Sequence, residues 1–151
     1  MENIFEKVYN KTKELGKAYT KAKEENIEDD LKIIKEAYDT MISEVRNKYD
    51  RVTKIIYRGY ESSKENENEY IDFSDILWEK DVEKIVEILR QEKIKYFTYS
   101  SKCTNVIEIS MLLKNHGCEI EDVIKINDGL KINVYNPSEY EKKPALLFKV
   151  N

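Results

Sequence analysis

Residues 26–61, NIEDDLKIIKEAYDTMISEVRNKYDRVTKIIYRGYE, decide the fold. Leu31, Ile34, Tyr38, Met41, Val45, Lys48, Val52, Ile55 and Gly59 step by three and four without a slip. That spacing is one face of an α-helix, with Lys48 as its polar member and Gly59 as a small one at the end. Ile42, Tyr49 and Ile56 fall beside this seam and widen it, which suits a packed bundle face more than a strict two-stranded coiled coil. Asn26 reads as an N-cap, and Glu28, Asp29 and Asp30 then place carboxylates at the positive end of the helix dipole. No proline interrupts the run. The spacing therefore predicts one helix from Asn26 to Glu61, about 50 Å long at 1.5 Å per residue.

Toward the N-terminus, Ile4, Val8, Leu15, Ala18, Tyr19 and Ala22 fit a second amphipathic helix over residues 4–24, about 30 Å long. Gly16 weakens it by about 1 kcal/mol relative to alanine. The two form an antiparallel helical hairpin over residues 1–61, an interaction arm. The shorter helix covers only part of the longer, so roughly 20 Å of stripe around Val52, Ile55, Ile56 and Gly59 is left over. It must pack on the C-terminal domain, on a second copy of the chain, or on a partner. The first of these needs nothing outside the chain.

Toward the C-terminus the period changes. Residues 62–70 are polar and of low complexity and read as a helix end and a mobile linker. Ile71-Asp72-Phe73 is short and extended. Ser74 or Asp75 caps a helix carrying Ile76, Leu77, Val82, Ile85, Val86 and Leu89. Lys95 to Ser100 is aromatic and favours a strand. Ser101 to Thr104 caps a helix with Val106, Ile107, Ile109, Met111, Leu112 and Leu113, and Gly117 marks its end. Cys118 to Asn127 reads as a strand, Asp128-Gly129 as a hairpin turn, and Leu130 to Tyr135 as its partner. Asn136-Pro137-Ser138 breaks the pattern before a last strand, Ala145 to Val150. The class is α+β: a long helical hairpin, then over 71–151 a small α/β domain with two helices on a mixed, mostly antiparallel sheet.

Composition narrows the function. The 151 residues are 37% charged, against about 25% in an average protein, and 40% hydrophobic, enough for a core. With 26 basic and 30 acidic residues the net charge is −4, unlike a generic nucleic-acid coat. No apolar run reaches the roughly 18–20 residues that cross a bilayer. The opening Met1-Glu2-Asn3-Ile4-Phe5-Glu6 lacks the basic and apolar regions of a signal peptide, so a cytoplasmic protein with reduced thiols is expected. Two cysteines and one histidine argue against most His/Cys metal sites, and no cofactor is expected. Lysine outnumbers arginine 22 to 4, and Ile, Asn, Glu and Tyr are abundant, a codon bias of low-G+C bacteria and their phages.

Few side chains invite chemistry. His116 ends a helix, where a cation complements the dipole. Cys103 and Cys118 bracket that helix, roughly 20 Å apart, too far for a disulfide. Ser100 to Thr104 with Cys103 offers a nucleophile without an evident base, and the turn lacks the glycines of a phosphate loop. Two charged regions stand out. Glu65, Glu67, Glu69, Asp72 and Asp75 begin an acidic stretch that runs to Glu87, relieved by Lys80 and Lys84. It is either a solvated surface or an imitation of nucleic-acid phosphate. Arg46, Arg51, Lys54, Tyr57, Arg58 and Tyr60 lie off the apolar seam, and three of the four arginines are here. Arginine and tyrosine favour interface hot spots, so this is the expected contact surface.

Ile71-Asp72-Phe73-Ser74-Asp75-Ile76-Leu77-Trp78-Glu79-Lys80-Asp81, with Phe97-Thr98-Tyr99-Ser100-Ser101, Asn115-His116-Gly117-Cys118 and Tyr140-Glu141-Lys142, resembles an uncharacterised small domain family carried by phages and mobile elements of low-G+C Gram-positive bacteria. The resemblance covers the C-terminal half and brings no catalytic residues with it. It implies a mobile-element accessory protein, and such proteins include inhibitors of host defence, among them anti-CRISPR proteins. The expectation is a non-enzymatic inhibitor that binds a host defence protein stoichiometrically, a Cas protein or ribonucleoprotein. The alternative is a nucleic-acid-binding regulator, dimeric through helix two. That alternative is opposed by the acidic net charge and by the lack of a helix-turn-helix or aromatic RNA motif.

Overall fold

Helix α1, Ile4–Glu24, opens on Asn3, whose side chain accepts a hydrogen bond from the Glu6 backbone N–H at 2.9 Å. It closes on Asn26 in a left-handed conformation, φ 55°. The Asn26 N–H then reaches the Lys23 carbonyl and the Ile27 N–H the Ala22 carbonyl, at 3.3 and 3.0 Å. Asn26 thus ends α1 and does not cap the next helix, a correction to the sequence expectation; Asn tolerates either duty. Helix α2, Glu28–Lys48, keeps the expected carboxylates in its first turn. The computed structural model describes residues 3–48, 50–131 and 140–151, without the side chains of 41, 42, 44–48, 130 and 131. The anticipated strand Ile132 to Tyr135 and the Asn136-Pro137-Ser138 break lie outside the described residues.

The single helix expected from Asn26 to Glu61 is two, α2 and then α3, Arg51–Glu65. Asp50, which directly precedes α3, is of the type that favours a helix start over a helix interior. The chain divides into two compact units at this point, Met1–Arg51 and Val52–Asn151. The expected 1–61 arm, 62–70 linker and 71–151 domain therefore have a different boundary, because α3 is built into the second unit.

In the first unit α1 packs against α2. Phe5 and Ala22 are buried, whereas Val8, Leu15, Ala18, Leu31 and Ile34 are half-buried and Tyr19 and Tyr38 exposed.

The second unit is a sheet with helices packed on it. β1 is Ile71–Asp72, β2 Tyr96–Tyr99, β3 Cys118–Lys131 and β4 Tyr140–Val150, in the order β1-β2-β4-β3. β1 runs parallel to β2, joined by a crossover through a 3₁₀ turn, Glu79–Asp81, and helix α4, Val82–Gln91; the other pairs are antiparallel. Helix α5 is Val106–Asn115. α4 packs on β4, α5 on β3, and the two helices on each other. The class is α+β, as the sequence predicts.

The core is aromatic at its centre. Phe97 stacks on Phe148 with ring centroids 5.2 Å apart, and Phe73 meets Phe97 edge-on at 5.4 Å. Ile85, Val86 and Leu89 of α4 and Ile109 and Leu113 of α5 are fully buried with them. Each such side chain contributes about 1.5–3 kcal/mol of apolar burial.

Three local expectations change. Ser74 and Asp75 do not cap a helix; they form a turn in which Asp75 has φ 64° and its N–H donates to the Ser100 carbonyl. Asn105 takes the N-cap place of α5, while Ser101 Oγ accepts from the Cys103 N–H. Asp128-Gly129 is a bulge inside β3 and not a hairpin turn. The four steps from Asn127 to Lys131 face the two steps from Lys142 to Tyr140, and Gly129 supplies φ 83°. The dipeptide announced a positive φ, which bulges use as readily as turns.

Candidate contact surface

Helix α3 buries one face. Val52, Ile56, Gly59, Tyr60 and Ser63 recur at helical spacing and are all buried. β1 lies at the sheet edge, and α3 lies against it. A Cβ on Gly59 would stand 3.0 Å from the Asp72 carbonyl oxygen and 3.2 Å from Ile71 Cγ2, so glycine is what permits this approach. One turn on, Ser63 Oγ accepts from the Asp72 N–H at 2.9 Å and donates to the Gly59 carbonyl at 2.6 Å. The edge donor of β1 is thereby satisfied by a helix side chain, where it would otherwise be an open pairing group.

The end of α3 is held as firmly. Glu67 takes a left-handed φ of 57°, the Glu67 N–H bonds to the Lys64 carbonyl and the Asn68 N–H to the Ser63 carbonyl, the two bonds of a Schellman cap. Asn68 then behaves like a strand residue. Its Oδ1 accepts from the Asn127 N–H at 2.9 Å and its Nδ2 donates to the Asn127 carbonyl at 3.0 Å. Asn127 Nδ2 in turn donates to the Asn66 carbonyl at 2.8 Å. Residues 62–70, expected to be a mobile linker, are a helix end pinned to β3 by side-chain amides. Their polarity reflects these hydrogen bonds, which a reading by hydrophobic period does not register.

The outward face of α3 carries the charge. Lys54 and Arg58 are exposed and four residues apart, and Tyr57 between them is half-buried. Among the described residues neither Lys54 nor Arg58 has an ion-pair partner. Arg51, the first residue of α3, is exposed and belongs to the first unit. The side chain of Arg46 lies outside the description. Tyr60 is a correction: it is buried, with Lys64 Nζ 5.5 Å from its ring centre. The widened stripe of α3 reaches one position further round the helix than the heptad places it.

Part of this charge pattern works against the helix. Like charges at i, i+4 cost a few tenths of a kcal/mol, as Lys54 and Arg58 do here. α3 has no acidic residue in its first turn, where the dipole would favour one; toward its end Lys64 favours the dipole and Glu61 and Glu65 oppose it.

The acidic group separates likewise. Glu65, Glu67, Glu69 and Asp75 are exposed. Asp72 is not part of a surface patch, a second correction. Its Oδ1 accepts from Ser74 Oγ and Thr98 Oγ1 at 2.7 and 2.8 Å, and Lys143 Nζ lies 3.9 Å from Oδ2 and 3.1 Å from Asp128. Ser74 Oγ also bonds to Ser100 Oγ. Sequence reasoning missed this cluster, because its members come from β1, β2, β3 and β4 and only the register brings them together. Cys103 is exposed, and Cys118 is buried. Burial pushes the Cys118 thiol up to about 11, against a smaller downward pull from Arg90. His116 follows α5 as its C-cap, its carbonyl accepting from Arg90 Nη2.

A four-stranded mixed sheet with a basic helix fastened to its edge defines an α+β module. The chain belongs to the family described as Domain of unknown function (DUF7698), whose family model matches residues 55–150. The match begins inside α3, in keeping with that helix being part of the second unit. No curated protein and no solved structure matches the chain.

Proposed function

We propose that the protein is a non-enzymatic phage or mobile-element accessory protein that inhibits a host defence machine by stoichiometric binding, in the manner of an anti-CRISPR inhibitor. The observation that carries the binding role is the outward face of α3. Lys54, Tyr57 and Arg58 are held on a helix fastened at Gly59, Ser63 and Asn68, and the exposed Lys54 and Arg58 suit an anionic partner surface. A surface ordered before binding loses less entropy on association. Arginine and tyrosine side by side supply planar hydrogen bonding and apolar area together. The defence target rests on the resemblance of the C-terminal half to mobile-element proteins.

The test is a phage challenge of an immunised low-G+C Gram-positive host. Expression of the protein is expected to restore plaques, and the triple variant K54A/Y57A/R58A to lose that effect while keeping its circular dichroism spectrum. Full protection by the host in the presence of the wild-type protein contradicts the proposal. A nucleic-acid regulator, the second reading, would instead show DNA or RNA affinity falling steeply with salt.

A further inference from the structure

The α1–α2 hairpin leaves its own apolar stripes open. Val8, Leu15 and Ala18 on α1 and Leu31 and Ile34 on α2 are only half-buried, and Tyr19 and Tyr38 in the same stripes remain 42% and 39% exposed. Two helices alone form a single layer, and an apolar stripe needs a second layer to be covered. We propose that this layer is the hairpin of a second copy of the chain, in a four-helix bundle whose two-fold axis runs along the helices.

Three features select that occupant. The first is charge. α1 carries six lysines against three glutamates, and α2 six carboxylates against four basic residues. The order α1, α2, α1 of the second copy, α2 of the second copy sets a basic helix beside an acidic one at every seam. Pairing α1 with itself would align lysine rows. The second is direction, since in that order every neighbouring pair is antiparallel and the helix dipoles oppose. The third is size. Each helix has 21 residues, so the face is about 30 Å long and about 20 Å wide at 8–10 Å per helix. That is on the order of 600–800 Å² per copy, the scale of a standard specific interface. The inference is independent of the α3 surface, which is on another helix.

Sedimentation velocity of the full chain, at low and high micromolar concentration, tests it. The expected result is a species of twice the 18.0 kDa chain mass. L15E and I34E should each raise the dimer dissociation constant at least tenfold. Tyr38→Lys, at an exposed position where folding is not at stake, should weaken the dimer in the same direction. Ile33→Lys, which lies off the stripe at 64% exposure, should leave it unchanged. A wild-type monomer at every concentration overturns the proposal, as does a dimer that Tyr38→Lys leaves intact. Because no defence target is involved, the outcome is separate from that of the phage challenge.

Discussion

Replacing Ser63 by alanine removes a side chain that joins α3 to the edge of β1 by hydrogen bonding. Ser63 is 4% exposed, and its Oγ is the acceptor for the Asp72 N–H. Without it that half-buried donor loses its acceptor. An unsatisfied buried donor costs about 1–3 kcal/mol, while the bond from Ser63 Oγ to the Gly59 carbonyl is redundant, since that carbonyl already serves the helix ladder. The expected loss is therefore about 1–3 kcal/mol. For a unit of about 100 residues this lowers Tm by about 4 °C or more per kcal/mol. Urea denaturation followed by tryptophan fluorescence gives the stability, Trp78 being the sole tryptophan. Hydrogen exchange gives the location: the Asp72 amide should lose protection more than the Phe97 amide in the core. A variant as stable as the wild type, with Asp72 still protected, would refute the account of how α3 is held.

Other outcomes follow from the same geometry. Asn68→Ala deletes both hydrogen bonds to the Asn127 backbone and should cost about 1–2 kcal/mol, with faster exchange of the Asn127 amide; unchanged exchange would show that residues 66–68 do not close that edge. Cys103 should react at once with a thiol reagent and Cys118 only on unfolding. The Cys118 thiol, raised to about 11 in the fold against an unfolded value near 8.5–9, adds stability that is complete below the unfolded value. That stability is lost as pH rises through the folded one, by about 1–3 kcal/mol. Comparison with Cys118→Ala at pH 7 and pH 11 isolates it, and equal slopes for the two proteins would contradict the burial argument. K54A/R58A should leave the unfolding midpoint unchanged or slightly raised, because a like-charge pair is relieved; marked destabilisation would mean that these two side chains support the fold.

What the sequence revealed depended on whether a signal was periodic or positional. The seam from Leu31 to Gly59 showed helix throughout, because spacing by three and four survives any tertiary setting. It did not show the interruption at Asp50, since two helices in register share one pattern. The strands around Phe97 and Phe148 were legible from aromatic and β-branched residues, and Gly117 from its place after a helix. Asp128-Gly129 was legible as a positive φ and misread as a turn, because bulge and turn make the same local demand. The segment 62–70 was misread for a different reason. Its asparagines bond to Asn127, some sixty residues away, and composition carries no record of a distant partner. The heptad puts Lys54, Tyr57 and Tyr60 alike off the seam, and only burial separates Tyr60 from the other two; Asp72 is not separable from its acidic neighbours until the register is known.

A preformed α3 surface that meets one protein partner has a direct consequence for what the protein captures. Tagged wild-type protein and K54A/Y57A/R58A, used as parallel baits in a low-G+C Gram-positive lysate with and without nuclease and read by quantitative mass spectrometry, test it most directly. The expected result is a host protein recovered in near-equimolar amount with the wild type, retained after nuclease, and lost with the variant. Equal recovery by both baits, or recovery that disappears with nuclease, would contradict it.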